Sequence, residues 1–333
     1  MTGTDTHTAA TVPDHASLAE AIRVAGRAPS IHNTQPWRWV FDGDRLHLYG
    51  DTDRQLFATD PHGREWVISC GAMLHHARTV FAARGWRTET VRLPDPQRPD
   101  HLATLIFRPW PQPPADAATL VRAIEDRYTD RLPLREPPRW NNLVIDLRRL
   151  VAAHDLTLDV LVDNARTQLT AASRRATEAR RYDSMYQDEL DWWAGHPDTP
   201  EGVPPTALAS TAEQAHVGVA RAFPVVSHSA RRADLQDEAG LVVLGSPSGD
   251  TVARWLHTGE ALSAVLLECT ARGLATCTLT HVTELPAARR AVADLIPHRT
   301  TPQVVIRIGV APDGERPPRT PRRPLADILT VEV

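Results

Sequence analysis

Residues 28–39 read APSIHNTQPWRW, and this stretch organises the chain. An amphipathic helical pattern stops at Pro29. Ser30, His32, Asn33 and Gln35 then place four side-chain hydrogen-bonding groups within six residues, before an aromatic strand pattern begins at Trp37. Such side chains favour turns because they bond nearby backbone. Pro36 also biases Gln35 towards an extended shape. The segment between the two prolines therefore reads as a rigid polar elbow, suited to a polar planar ligand or, equally, as a helix-to-strand turn with ordinary capping.

Upstream, Ser17 and Glu20 form an S-x-x-E capping box, followed by Leu18, Ala21, Ile22 and Ala25 at helical spacing. This leaves residues 1–16 as a polar leader. Downstream, residues 37–41 and 46–49 flank Asp42-Gly43, a hairpin signal. A long helix is predicted over 63–84, ended by Gly85, and strands over 88–93 and 103–107. His75 and His76 are adjacent on that helix and point about 100° apart, with no partner at i+4, so no metal is expected.

PWPQPPAD at 109–116 is a proline-rich linker. Beyond it, helix 119–126 opens into RYTDRLPL at 127–134. Arg127, Thr129 and Arg131 offer guanidinium forks and a hydroxyl that match phosphate oxygens. A solvated charge cluster at a helix end is the alternative. A strand at 156–162 leads into a charged helical stretch, 165–195, ending in Trp192-Trp193, and then into a Pro/Thr/Ala-rich segment. Residues 182–215 thus read as an insertion, either a lid over a pocket or a surface flap whose tryptophans plug core. Strands at 241–244, 275–280 and 304–309 and helices at 255–272 and 285–295 complete the pattern.

Setting Gly71 on Gly259 also sets Leu74 on Leu262 and Ala83-Arg84-Gly85 on Ala271-Arg272-Gly273, all at one offset of 188. Ala21-Ile22 matches Ala123-Ile124 in the same way. One unit occurring twice is the reading, with residues 17–116 as the first half and 117–333 as the second.

Composition narrows the function. A net charge of −4, with Arg far outnumbering Lys, offers no basic excess for nucleic acid. Three cysteines, Cys70, Cys269 and Cys277, make no CxxC pair and fit a reducing compartment. No signal peptide or membrane span is read, so the expectation is a cytoplasmic protein. Neither a GxGxxG dinucleotide fingerprint after a strand nor a G-x-S-x-G elbow is present.

The A-P-S-x-x-N-x-Q-P-W elbow resembles the signature of the FMN-dependent nitroreductase superfamily, and R-x-T-x-R at 127–131 is similar to its R-x-S-x-R segment. Ile31 stands where many members carry a second Ser. The motif order, the duplication and TPRRPL at 320–325 resemble one branch, the Acg-type nitroreductases of actinobacteria, over nearly the whole chain. The resemblance implies an α+β fold, a nitroreductase-like unit duplicated within one chain as a fused pseudo-dimer, with antiparallel or mixed sheets packed with helices. It implies one FMN between the halves, touched by Pro29, Ser30 and Asn33. Arg127, Thr129, Arg131, Arg322 and Arg323 would hold the phosphate and ribityl chain. The backbone of Thr280 and His281, after GLATCTL, would lie near the reactive N5. The implied activity is hydride relay from NAD(P)H, a transient donor, to a small-molecule acceptor such as a nitroaromatic or quinone, in a monomer with no certain catalytic side chain. The alternatives are a flavin-sequestering protein with a closed lid and a flavin-free interaction module.

Overall fold

The computed structural model describes residues 11–162, 164–194, 201–223, 231–232, 234–247, 249–312 and 319–332. In chain order the first elements are α1 (His15–Ala25), β1 (Trp37–Phe41), β2 (Arg45–Gly50), α2 (Arg64–Ala83), β3 (Trp86–Arg92), β4 (His101–Pro109) and α3 (Ala117–Asp126). There follow α4 (Trp140–Ala152), β5 (Thr157–Leu161), α5 (Asn164–Arg180), α6 (Ser184–Trp193), α7 (Thr211–His216), β6 (Gly240–Ser246) and α8 (Val252–Ala271). The chain closes with β7 (Ala275–Leu279), α9 (His281–Glu284), α10 (Pro286–Ala293), β8 (Thr301–Gly309), α11 (Leu325–Ile328) and β9 (Leu329–Val331).

Two sheets result, ordered β3-β4-β2-β1-β9 and β7-β8-β6-β5. Leaving β9 aside, the order is the same in both, every shared pairing is antiparallel, and α2 and α8 occupy corresponding places. The offset of 188 carries the bounds of α2 onto those of α8. The two helices cross where Gly71 faces Gly259, and His75 Nδ1 lies 2.8 Å from Ser263 Oγ, its partner at the same offset. Around this crossing lie two apolar cores. Trp37, Trp39, Phe41 and Phe81 anchor the first, and Val242, Val304, Ile306 and Leu266 the second.

Corresponding connections differ greatly, and that difference positions the site. Residues 42–44 close a tight hairpin between β1 and β2, whereas 162–239, with α5, α6 and α7, join β5 to β6. Likewise 93–100 join β3 to β4, while 280–300 with α9 and α10 join β7 to β8. Both long excursions gather on one side.

Several expectations need correction. α1 starts at His15 because the Asp14 carboxylate accepts from Ser17 N at 2.7 Å, so Ser17 and Glu20 make no capping box and the leader is shorter than sixteen residues. The hairpin turns on Gly43-Asp44, with Asp42 N donating to Arg45 O and Asp42 Oδ1 accepting from Asp44 N and Arg45 N. The 165–195 helix is two helices, α6 beginning anew where Asp183 caps Tyr186 N. The amphipathic helix α4 adds to the elements expected from sequence, and Leu143, Val144, Leu147 and Val151 give it a buried face. So does β9, which carries the C-terminal segment onto β1 in parallel.

Candidate functional site

The elbow is a strained loop that its surroundings hold in place. His32, Asn33 and Gln35 have φ of 44°, 58° and 50°, a region that costs a non-glycine residue about 1 kcal/mol or more. Ser30 Oγ accepts from Gln35 N at 3.0 Å, and Ser69 Oγ of α2 accepts from Ile31 N at 3.1 Å. From the C-terminal segment, Arg323 N donates to Gln35 Oε1 at 2.9 Å and Arg323 Nη1 to Gln35 O at 3.0 Å. Asn33 Nδ2 donates to Gly202 O at 2.9 Å and Pro321 O at 3.2 Å.

Beside the elbow lies a cavity partly open to solvent. Pro29 to His32 form one wall, with Glu65, Ile68 and Ser69 of α2 below them. The opposite wall is the end of β7 and its loop, Cys277 to His281, and Thr129 and Arg131 line the side. Ala209, Gln214, Ala220, Arg221 and Phe223 cover it. Thr129 is bridged in parallel to Thr276, which fixes the 127–131 segment along β7.

Burial keeps the cavity's histidines neutral. His281 is held far below the ordinary range by burial and then Arg221, and its Nε2 lies 2.7 Å from Ser173 Oγ. His32 is lowered by burial and then by Arg221 and Arg131, and it sits edge-on to Phe223. Arg221 is fixed by an ion pair to Glu284 and by donation to Tyr186 Oη at 2.7 Å. Arg131 lies with its guanidinium carbon 5.1 Å from the Phe223 ring centre. Among the described residues, His32 Nε2, His281 Nδ1 and Arg307 Nη1 are buried cavity-wall atoms with no partner.

At the far end of the elbow, three guanidiniums converge. Arg127 Nη2 and Arg322 Nη2 both donate to Arg27 O at 3.2 Å, and Arg322 Nε donates to Gly26 O at 3.0 Å. Carbonyls at the C-terminus of α1 attract cations. Among the described residues no carboxylate makes an ion pair with Arg27, Arg127 or Arg322; Glu125, which lines a groove beside Arg27 and Arg322, acts on Arg27 without pairing with it. Burial, then Arg27, pushes Arg127 down to about 10; burial, then Arg127 and Arg27, pushes Arg322 to about 9. Arg27 Nε and Arg127 Nε have no partner. The solvated-cluster alternative fails here, since Arg127 is 6% exposed. The groove runs past Arg27 and Arg322 to the surface. The chain has 37 basic residues and no lysine among them, so each of these cations is a planar fork suited to phosphate oxygens.

The structure thus brings together Pro29, Ser30, Thr129, Arg131, Thr280 and His281 in one cavity, and Arg127 with Arg322 at the Arg27 carbonyl, outside that cavity's lining. Arg127 and Arg131 do not form one fork on one anion. Residues four apart in extended chain are separated by roughly 13 Å, so the two guanidiniums stand well apart. Asn33 and Arg323 brace the elbow and do not line the cavity. The tryptophan pair is a further correction. Trp192 is 61% exposed and neither tryptophan lines the cavity, which Ala209, Gln214 and Phe223 cover. Residues 195–200 of the expected insertion lie outside the described residues. Sequence reasoning missed Arg27, Glu65, Arg221 and Arg307, each made informative only by distant partners. Among the described residues no group of side chains could hold a metal ion, and no helix is long and apolar enough to cross a membrane.

No protein-family model matches the chain. The "Putative NAD(P)H nitroreductase acg" of Mycobacterium tuberculosis is 44% identical over 315 residues, covering 94% of this chain and 95% of that one. A second protein of that organism, also named as an NAD(P)H nitroreductase, is 37% identical over 322 residues, covering 95% and 92%. Among solved structures, a "putative nitroreductase" of Anabaena variabilis is 10% identical, covers 90% of each chain and has a TM-score of 0.48. The FMN-dependent nitroreductase NfnB of Mycobacterium smegmatis, in complex with NADPH, is 18% identical, covers 63% of this chain and 96% of that one, and has a TM-score of 0.38. The structural scores are low, and the sequence relatives, matched along nearly their whole length, decide the assignment: the chain belongs to the Acg family of nitroreductases.

Proposed function

We propose that the chain is an FMN-dependent NAD(P)H oxidoreductase acting on a nitroaromatic or quinone-like acceptor. The observation that carries this is the cluster of buried Arg127 with half-buried Arg27 and Arg322, none of them ion-paired to a carboxylate among the described residues, at the elbow that walls the cavity. Three mutually repelling cations, one of them buried and two half-buried, are costly unless an anion joins them. A phosphate dianion fits that requirement, and the orphaned Arg27 and Arg127 Nε atoms fit its oxygens.

In this reading Arg127, Arg322 and Arg27 hold the phosphate and Thr129 the ribityl chain. Pro29 and Ser30 face Thr280 and His281 across the ring, with Arg131 at its polar edge. FMN, when bound, supplies hydride relay between the nicotinamide and the acceptor. The chain's own part is to orient, exclude water and keep His32 and His281 uncharged at the ring. Asn33 and Arg323 act one step removed, by fixing the elbow. We further propose that residues 17–116 and 117–333 are two fused nitroreductase-like halves, with 182–215 as the lid, in a cytoplasmic monomer. Titrating the flavin-free chain with FMN tests the reading: saturable quenching of flavin fluorescence is expected, followed by bleaching with NADPH or NADH. Absence of binding refutes it.

A second reading, flavin sequestration under a closed lid, draws support from how the cover is fastened. Arg54 grips Glu201 through two bonds of 2.6 and 2.7 Å while also donating to Thr34 O of the elbow. Glu189 of α6 accepts from Ala58 N and Thr59 N at 3.1 and 2.8 Å. Arg54→Ala removes the bidentate pair, whose charge-assisted bonds are worth about 1.5 to 3 kcal/mol. Exchange of bound FMN, and its bleaching by exogenous reductant, should quicken about tenfold. Unchanged rates in a folded variant would exclude Arg54 as the fastening that matters.

A further inference from the structure

Two buried carboxyl groups meet at the floor of the cavity. Asp60 and Glu65 are 2% and 3% exposed, and Glu65 lines the cavity. The Asp60 carboxyl sits at the N-terminus of α2, where Oδ1 accepts from Arg64 N and Oδ2 from Trp66 N, each at 2.8 Å. Glu65 contacts the Arg64 guanidinium and shares a hydrogen bond with Asp60. Arg64 also donates to Thr283 Oγ1 at 3.0 Å, and its Nη1, fully buried, has no partner.

Counting charge decides the protonation. Two carboxylates beside one guanidinium would leave a net negative charge buried in the wall, and among the described residues no second cation makes an ion pair with either. Glu284 and Asp250, which also act on Arg64, are themselves paired with Arg221 and Arg289. Glu189, approaching from α6, adds a further carboxylate at Ala58 N and Thr59 N. Across the cavity, Arg221 is spent on Glu284, and Arg131 lies over Phe223. One proton makes the Asp60, Glu65 and Arg64 group neutral. Burial and then the Glu65 carboxylate push Asp60 up to about 9. Burial works to raise Glu65 as well, but Arg64 and the Asp60 hydrogen bond outweigh it and hold its carboxyl below the ordinary range.

We propose that Asp60 and Glu65 hold one shared proton at the cavity wall, and that Glu65 delivers it to the acceptor as the acceptor is reduced. This rests on the oxidoreductase function proposed above. The proton resides on Asp60 and crosses the shared hydrogen bond to Glu65. For a quinone, one oxygen receives the hydride that a nicotinamide dinucleotide gives up. The other receives the Glu65 proton, and the electron pair of the broken O–H bond stays on the carboxylate. The pair regains one proton from solvent, so quinone, reduced nicotinamide and one proton yield hydroquinone and oxidised nicotinamide. Glu65 is then a catalytic residue and Asp60 a positioning residue that acts through it.

The test has two arms. In the flavin-free chain at pH 7, infrared spectroscopy should show a protonated-carboxyl band that both Asp60→Asn and Glu65→Gln remove, since either leaves one carboxylate balanced by Arg64 and no proton to hold. In the FMN-loaded chain, Glu65→Gln should slow reduction of a quinone by about 100-fold, the lower end of what a positioned acid contributes, and flatten its pH profile, with FMN affinity changed less than twofold. A parent chain without the band overturns the shared proton, even with flavin bound. A Glu65→Gln variant that loses FMN, or slows reduction by nicotinamide as much as reduction of quinone, overturns delivery and makes Glu65 a ring-positioning group. Failure of the parent chain to bind FMN would overturn delivery through the function it rests on, and the band would still report the proton separately.

Discussion

Gly259→Ala should lower the stability of the fold by about 3 kcal/mol, the upper part of the range for overpacked cores. A Cβ at Gly259 would lie 2.0 Å from Ile68 O, 2.7 Å from Gly71 Cα and 2.8 Å from Ala72 N. One at Gly71 would lie 2.2 Å from Leu256 O. All of these are backbone atoms of the opposing helix, so no side chain can swing aside. In an isolated helix the same substitution gains about 1 kcal/mol, so the sign of the measured change discriminates. If α2 and α8 meet at these glycines, the clash wins and the denaturation midpoint falls; if they do not, helix propensity wins and it rises. Because each helix carries one of the two cores, parting them should also open the cavity between Ile68 and Leu262.

That correspondence between α2 and α8 is legible in the amino-acid sequence, because Gly71, Leu74 and Ala83-Arg84-Gly85 all recur at a single offset, as a repeated unit requires. The elbow is legible too, since Pro29 and Pro36 bracket four turn-forming side chains. What escapes the sequence depends on partners far along the chain. With Ala21-Ile22 set on Ala123-Ile124, Arg27 falls opposite Thr129 in a first half that lacks the R-x-T-x-R pattern, and it becomes part of the arginine cluster only because Arg127 and Arg322 arrive at its carbonyl from 100 and 295 residues away. Asn33 and Arg323 have the right chemistry for a ligand, but φ values above 40° at His32, Asn33 and Gln35 demand bracing, and those two side chains supply it. Trp192 and Trp193 suggest a lid by size alone. Burial depends on which face of α6 meets the chain, and the face that does so carries Tyr186 and Leu190. The Asp60 and Glu65 pair reads in sequence as two ordinary surface acids flanking a helix start.

Arg127→Ala combined with Arg322→Ala should weaken FMN binding by roughly two to four decades, and the parent chain should saturate at a single FMN. Each charge-assisted contact is worth about 1.5 to 3 kcal/mol, and every 1.4 kcal/mol is about tenfold in affinity. Removing two of three clustered guanidiniums also relieves their repulsion in the empty protein, which places the loss nearer the lower figure. The single stoichiometry follows from what fills the mirror position. At the offset of 188, Arg92 stands where Thr280 stands in the site, and it is engaged otherwise: its Nε donates to Glu260 at 2.7 Å, and Arg78 joins the same carboxylate at 2.7 Å. His75 and Ser263 close the gap beside them. The short 93–100 connection offers no counterpart of the α9 and α10 excursion, and α3 runs on through 132–139 into α4 without a second elbow. A second flavin would have to displace a buried carboxylate held by two arginines, an ion cluster whose disruption costs about 3 to 5 kcal/mol when one partner is lost, and would gain no arginine pole in return. Equilibrium dialysis against excess FMN reads both quantities at once: one flavin per parent chain, and a weakened single site in the double variant. Two flavins per parent chain would mean that the Glu260 cluster yields to ligand, and an unchanged affinity in the double variant would remove the phosphate from the arginine pole.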